Sequence, residues 1–487
     1  VSARLGVVVA VTFLACSGKS VVRESSDGGA GSDDVTPGGA PNEGGVAGRN
    51  RGGSSTGGAS TGGSSTGGAS TGGSNTGGSG ARPPATGPAP NWSSTLPSAD
   101  PLNSTPPVLV ALDDDIIIAG GTSDPTLAGL DSFEPGTAAE SFVARLDHEG
   151  NVLWTTPIVD SGLPSGVAID PSGDIIVIGP FWPDGPGAPG SGSDSTYWAR
   201  LSPTGELVEQ REIDFYSTPV CLAVDGNGHS YLGGWEPDPD TALVSYLVFA
   251  RYDERGDEVW KRRFRHDETS TQVMSLSIAP SGDLVLSGFF NGSMDLGGGP
   301  LATERPGWIT NGFLARFNAD GEHLSSARFG GSELDVGWFV HALPEGDVLL
   351  GGTLTGNVDL LGEMLVADSD AGSGFLARVD AENHAQWAAF PAPGIATAIA
   401  LDPDGELIHI AGHGNATSWL ASYTADGAEA LFMSLPGGEY FYTRALAVDS
   451  RKSLWVSGGF HDQADFGDGY VLESDGAGTF LVRFDGE

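Results

Sequence analysis

Residues 166–179 read GVAIDPSGDIIVIG: a β-branched run, a turn of Asp, Pro, Ser and Gly, and a second apolar run ending in glycine. β-branched side chains fit a pleated, half-buried surface, and the turn residues supply the conformations that reverse a chain. The stretch predicts a two-stranded hairpin. It recurs as LVALDDDIIIAG (109–120), CLAVDGNGHSYLGG (221–234) and LSIAPSGDLVLSG (276–288). VHALPEGDVLLGG (340–352), IALDPDGELIHIAG (399–412) and LAVDSRKSLWVSG (446–458) bring the copies to seven. Each ends in glycine, at Gly120, Gly179, Gly234, Gly288, Gly352, Gly412 and Gly458. Positive φ or a close backbone approach is expected there.

A second hairpin follows each copy after a variable stretch: FVARLDHEGNVLW (142–154), YWARLSPTGELVE (197–209), VFARYDERGDEVW (248–260), FLARFNADGEHLS (313–325) and FLARVDAENHAQW (375–387). WLASYTADGAEAL (419–431) is the sixth, and the seventh stops at FLVRFDGE (480–487). The turn carries Gly or, at Asn383, the next-best residue for the left-handed conformation. Four strands per unit and a period of about 55 residues fit a propeller blade better than a solenoid rung. The last unit ends where its fourth strand should begin, while Asn91–Pro97 (NWSSTLP) resembles the fourth-strand segments LWTTPIV, VWKRRFR and QWAAFPA. The expected fold is an all-β, seven-bladed β-propeller of four-stranded blades over 91–487. Residues 91–98 would complete the last blade and remove the open seam of the ring.

Ahead of the ring, residues 5–15 (LGVVVAVTFLA) form an apolar run that is too short to span a bilayer but suits a signal-peptide core. Phe13-Leu14-Ala15-Cys16 resembles the bacterial lipobox, with Phe13 where Leu is usual. This resemblance implies a signal peptide over 1–15 and lipidation at Cys16. Ser17 follows the cysteine, which by the same analogy favours the outer membrane or cell surface. Residues 16–90 are rich in Gly, Ser and Thr and hold too few large apolar side chains to offset chain entropy. They read as a tether with an r.m.s. span of roughly 45–50 Å.

The net charge of −40 rests on residues 101–487, because basic and acidic side chains balance before them. So acidic a surface has too few cations to meet phosphates, which excludes nucleic acid as a partner. Cys221 has no partner after lipidation of Cys16 and reads as a small buried residue, so no disulfide is expected.

The repeats resemble the bacterial propeller repeats called SBBP, and delta-proteobacterial surface lipoproteins built from them. The likeness covers 107–487 and rests on the two hairpin patterns and on the phrases GSMDLGGGPL (292–301), GNVDLLGEML (356–365) and ADFGDGYVL (464–472). It implies a fold and a cell-surface location, with no catalytic set and no cofactor. A weaker likeness to quinoprotein propeller repeats runs through LDHEGNVLW and YDERGDEVW.

Propellers bind chiefly at one face, through second-to-third-strand loops and links between blades. Here Trp182, Trp235 and Asp238 place aromatic rings beside carboxylates, a composition suited to glycan or peptide contact. His413 and His461 occupy matching loops of adjacent blades. His341 stands where the other blades have Ala111, Ala168, Ala223, Ser277, Ala400 and Ala447, so its imidazole should line or plug the central channel. The recurring Arg145, Arg200, Arg251, Arg316, Arg378 and Arg483 look structural, bridging acidic partners between blades. Lys261, Arg262, Arg263 and Arg265 on an outer strand discourage edge pairing. DPSG, DPDG and DGNG lack the ligand run that calcium needs, and the scattered histidines lack a zinc set. The reading is a monomeric, lipid-anchored, non-enzymatic binding or scaffold protein for an extracellular glycan or protein. The alternative is an extracytoplasmic propeller enzyme, polysaccharide-active or lyase-type.

Overall fold

The computed structural model describes residues 90, 107–122, 140–159, 161–181, 195–215, 220–238, 245–266, 271–303, 309–367, 372–414, 417–437, 440–467 and 470–486, with the strand pairing alone for 92–97. The expected signal peptide, Cys16, the tether up to residue 89 and Trp182 lie outside these residues.

The chain is a seven-bladed β-propeller made of seven antiparallel sheets. Blade 1 comprises Val108–Leu112, Asp115–Thr122, Glu140–Leu146 and Val152–Ile158, and blade 2 comprises Gly166–Ile169, Ile175–Pro180, Thr196–Leu201 and Leu207–Ile213. Blade 3 is Cys221–Val224, Ser230–Pro237, Ser245–Tyr252 and Glu258–His266, and blade 4 is Thr271–Ile278, Leu284–Asn291, Thr310–Phe317 and His323–Gly331. Val336–Ala342, Val348–Leu354, Ser373–Val379 and Ala385–Ala389 form blade 5. Ile395–Leu401, Leu407–His413, Thr417–Thr424 and Glu429–Pro436 form blade 6. Blade 7 takes Tyr442–Val448, Leu454–Asp465 and Val471–Phe484 from the end of the chain and Trp92–Pro97 from its other side. The innermost strands neighbour one another in chain order, and Val108–Leu112 meets both Gly166–Ile169 and Tyr442–Val448, so the circuit is closed.

The closing strand sits in the register of the repeat. Trp92 pairs with Arg483, as Trp154 does with Arg145, Trp260 with Arg251 and Trp387 with Arg378.

Two blades are wider than four strands. The phrase GSMDLGGGPL forms a small hairpin, Ser293–Asp295 and Pro300–Ala302, that leaves blade 4 and adds to the outer strand of blade 3. GNVDLLGEML does the same one blade on, where Asn357–Leu360 and Glu363–Val366 add to the outer strand of blade 4. In blade 7 the lengthened middle strands reach back to blade 6 through a bridge between Gly437 and Ala464. The same local chemistry makes all three. Alternation buries Met294 and Leu296, Val358 and Leu360, and Ala464 and Phe466. The intervening Asp295, Asp359 and Asp465 accept backbone N–H groups of the following turn, from Gly297, Gly362 and Gly467, each at 2.8 Å.

The two hairpin patterns describe a clasp between blades. In the turn of blade 2, Gly205 has φ +85° and lies against the Trp154 ring of blade 1. Gly321 meets Trp260, and Gly427 meets Trp387, one blade apart each time. A side chain at these glycines would enter the indole and strain the backbone. Blade 4 has Ser325 in place of the tryptophan, and blade 5 has Asn383 in place of the turn glycine. Asn383 donates to Ser325 Oγ at 3.0 Å and accepts from Arg316 Nε at 3.3 Å, filling the gap that the missing indole would leave.

The recurring arginines complete this lattice in a way that corrects the expectation. Their acidic partners lie in their own blade: Asp115 for Arg145, Asp170 and Asp174 for Arg200, and Asp347 and Glu345 for Arg378. Their reach to the next blade is to turn carbonyls: Arg145 donates to Pro203 O at 3.0 Å, Arg200 to Glu254 O at 2.8 Å and Arg316 to Asp380 O at 2.9 Å. The basic outer strand of blade 3 is likewise engaged. Arg263 and Lys261 pair with the buried Glu236, and Arg262 donates to Gly321 O of blade 4 at 3.1 Å.

The terminal glycines of the first hairpins have no positive φ; they permit a close approach. In blade 4 the inner strand bulges between Val273 and Ser275, and this turns the Gln272 carbonyl onto the site where a Gly288 Cβ would stand.

Candidate functional site

One face of the ring is the clasped one just described. Its hairpin turns spend their polar groups on themselves: Asp170 Oδ1 accepts from Ser172 N at 2.8 Å and Asp174 N at 3.0 Å, while Oδ2 takes Arg200 at 2.9 Å. Asp225 and Asp449 cap their turns in the same way. The opposite face carries the second-to-third connections and the links between blades, where the repeat pattern breaks.

On that face a cleft of about 700 Å³ opens between blades 6 and 7. Its walls are Tyr440, from the link after the outer strand of blade 6, and His461, Asp462, Gln463 and Asp465 from the second strand of blade 7. Pro436 and Gly437 form the lip. Tyr440 is 75% exposed, and its ring centroid lies 6.5 Å from that of His461 at an angle of 58°. His461 Nδ1 stands 3.0 Å from Asp462 Oδ2. The floor is rigid. Phe441, Phe466 and Phe480 are buried and pack edge to face at 5.0–5.6 Å.

Two cleft residues hold backbone conformations that L residues avoid: Tyr440 at φ +68° and Asp462 at φ +64°. Among the described residues the other non-glycine cases, Asp113, Leu361, Asn383 and Lys452, sit in hairpin turns that ask for this geometry. Asp462 instead sits where the pairing of the two blade 7 strands slips, between His461 and Gln463.

The other expected site residues are dispersed. Trp235 is 37% exposed at the end of the second strand of blade 3. Asp238 follows that strand and accepts from the Tyr246 hydroxyl at 3.1 Å. His341 lies on the innermost strand of blade 5 opposite Leu349, at the register of Ala168 and Ala223, while in blade 1 this register holds Val110 and not the expected Ala111. Burial pushes its pKa down to about 4. His413 ends the second strand of blade 6, edge-on to Tyr442 at 5.9 Å, and burial also pushes it down to about 4. The matching positions of His413 and His461 in the repeat thus give unlike surroundings, one half-buried ring against Tyr442 and one on the cleft wall. Cys221 is buried, which pushes its thiol up to about 12 and leaves it unreactive.

One buried carboxylate stands out on the same face. Asp335, in the link between blades 4 and 5, accepts from Gly331 N at 2.7 Å, Thr355 N at 3.0 Å and Asn311 Nδ2 at 3.3 Å. Burial outweighs these bonds and raises its pKa to about 6. Asp335 ties a link to the start of a loop. Among the described residues no group of three or more His, Cys, Asp and Glu side chains is placed to hold a metal ion, and no helix is long and apolar enough to cross a membrane.

Of the cleft, the sequence reading singled out His461 alone. Tyr440, Asp462 and Gln463 belong to no repeat, so periodicity could not mark them; the irregular link PGGEYF (436–441) was the available signal.

No family model matches the chain, and no curated protein matches it. The chain is similar to the solved structure of the Dos1 propeller, at 10% identity over 80% of this chain and 95% of that one, with a TM-score of 0.43.

Proposed function

We propose that the chain is a surface-displayed, lipid-anchored propeller that binds an extracellular ligand, glycan or protein, without transforming it. The observation that supports this reading is the difference between the two faces. The turn face repeats from blade to blade and spends its polar groups on the clasp. The loop face breaks the repeat and opens the cleft of about 700 Å³ between blades 6 and 7, with polar side chains at its walls. Irregular, outward-facing side chains on a rigid scaffold are the usual location of binding. The membrane half of the proposal rests on Cys16 and the apolar run before it.

Two experiments test it. Metabolic labelling with radioactive palmitate should mark the wild-type chain and leave Cys16→Ser unmarked; equal labelling would remove the anchor. The purified chain on an array of glycans and surface proteins should show reproducible retention of at least one class. A blank array, together with turnover of any polysaccharide substrate, would favour the enzymatic alternative.

A further inference from the structure

We propose that the cleft between blades 6 and 7 is a saccharide site for neutral pyranose units; this rests on the binding role above and narrows it to one place and one ligand chemistry.

Three observations converge. The first is the wall. Tyr440 presents a flat, exposed ring on the lip of the cleft, and a pyranose offers an apolar C–H face of similar size that can lie against it. The tilt of His461 relative to Tyr440 leaves the two rings as adjoining walls, so a sugar stacked on one meets the edge of the other. The second is the polar lining. Asp462 and Asp465 accept hydrogen bonds, Gln463 both donates and accepts, and His461 can do either, which matches the mixed demands of ring hydroxyls. The third is strain. A tyrosine and an aspartate are held at positive φ in the same cleft, Tyr440 in a turn and Asp462 at the slip between the two blade 7 strands. Such conformations cost on the order of 1–3 kcal/mol each and persist where the surroundings over-determine them. Phe441 and Phe466, the chain neighbours of Tyr440 and Asp465, pack with Phe480 in the core and so anchor both walls from behind, which favours a preformed site.

Charge decides the class of sugar. Among the described residues the cleft is lined by two carboxylates and by no Lys or Arg, on a chain of net charge −40. A uronate, sialate or sulfated sugar would bring its anion against Asp462 and Asp465 with no fixed cation to meet it. Hydroxyl-rich neutral units meet only acceptors and donors they can satisfy.

The position of Tyr440 allows a clean test. Tyr440→Gly removes the ring and also relieves the positive φ, so the variant should melt no lower than wild type. Saturation-transfer NMR on the full chain would use cellohexaose, maltohexaose, chitohexaose and hexagalacturonate as probes. At least one neutral hexasaccharide should receive transfer, with affinity falling tenfold or more in Tyr440→Gly and also in Gln463→Ala. Hexagalacturonate should bind at least tenfold more weakly. A neutral sugar held equally well by both variants overturns this site and leaves the wider binding role standing. Preference for hexagalacturonate, or no transfer to any neutral probe while a surface protein is retained, overturns the sugar class. Silence of glycans and proteins alike would instead remove the binding role itself.

Discussion

Asn383 and Ser325 behave as one substitution written in two blades. Wherever an indole clasps the next turn, that turn needs glycine; where serine replaces the indole, asparagine restores contact through its amide. Ser325→Trp alone should drive an indole into the Asn383 side chain and cost about 1–3 kcal/mol. Adding Asn383→Gly should recover the motif of the other blades, giving a coupling of at least about 1 kcal/mol in a denaturant double-mutant cycle. Additive effects would show that the two residues are independent. Titration at single residues is equally specific. His341 and His413 take up protons below about 6.5 when unfolded but only near 4 in the folded ring. The unfolded chain therefore binds more protons between those values, and stability falls as pH drops through that window. Asp335 works in the opposite sense, since it gains its proton near 6 when folded and near 3.8 when unfolded, and so favours the folded state as pH falls. Two histidines outweigh one carboxylate. Replacing them as His341→Ser and His413→Gln should lessen the stability lost between pH 7 and about 4.5 by on the order of 2 kcal/mol each. An unchanged loss would show that neither ring is held neutral by the fold. Left-handed geometry at Asn383 was legible from its place in the repeat. Its partner was not, because the partner belongs to a different blade and only the spacing between sheets brings them together.

The small hairpins after the second strands of blades 4 and 5 show where element-level reading stops. Their phrases were visible as recurrent, yet three- and four-residue strands carry too little alternation to be read as strands, and their pairing partners lie in the preceding repeat. Hence blades expected to have four strands become six-stranded sheets. Burial of Leu360 and Val358 against blade 4 is what keeps the second of these hairpins in place. Leu360→Ala should cost about 2–5 kcal/mol. It should also raise amide exchange in residues 357–366 ahead of the rest of the ring. Uniform exchange throughout would mean that the hairpin is no separate unit. The cleft was less legible than the fold for a related reason. Repetition exposes what every blade shares, and cleft residues such as Tyr440 and Gln463 are what one blade has alone.

At the scale of the molecule, closure by Trp92–Pro97 was the most legible feature, since a missing strand at one end of the repeat array matched an orphan segment at the other. Deletion of 91–97 should lower the melting temperature by several degrees, while deletion of 52–80 should leave it unchanged. Equal melting of the two truncations would refute the role of the strand. The Arg–carbonyl contacts add to this closure from the turn side. At the seam, Ser450 N donates to Asp113 O at 2.9 Å and Arg451 pairs with Asp114 at 2.9 Å, while Lys452 reaches Asp404 and Glu406 of blade 6. The closing strand also imposes an order in time. Synthesis proceeds from the N-terminus, so the first strand of the ring to be made is a partner of the last, and six blades emerge before the two can meet. A chain that stalls short of Val471–Phe484 has nothing for residues 92–97 to pair with. The ring thus reports its own completeness: a truncated product leaves 92–97 without its partner strand, and only a finished one supplies it.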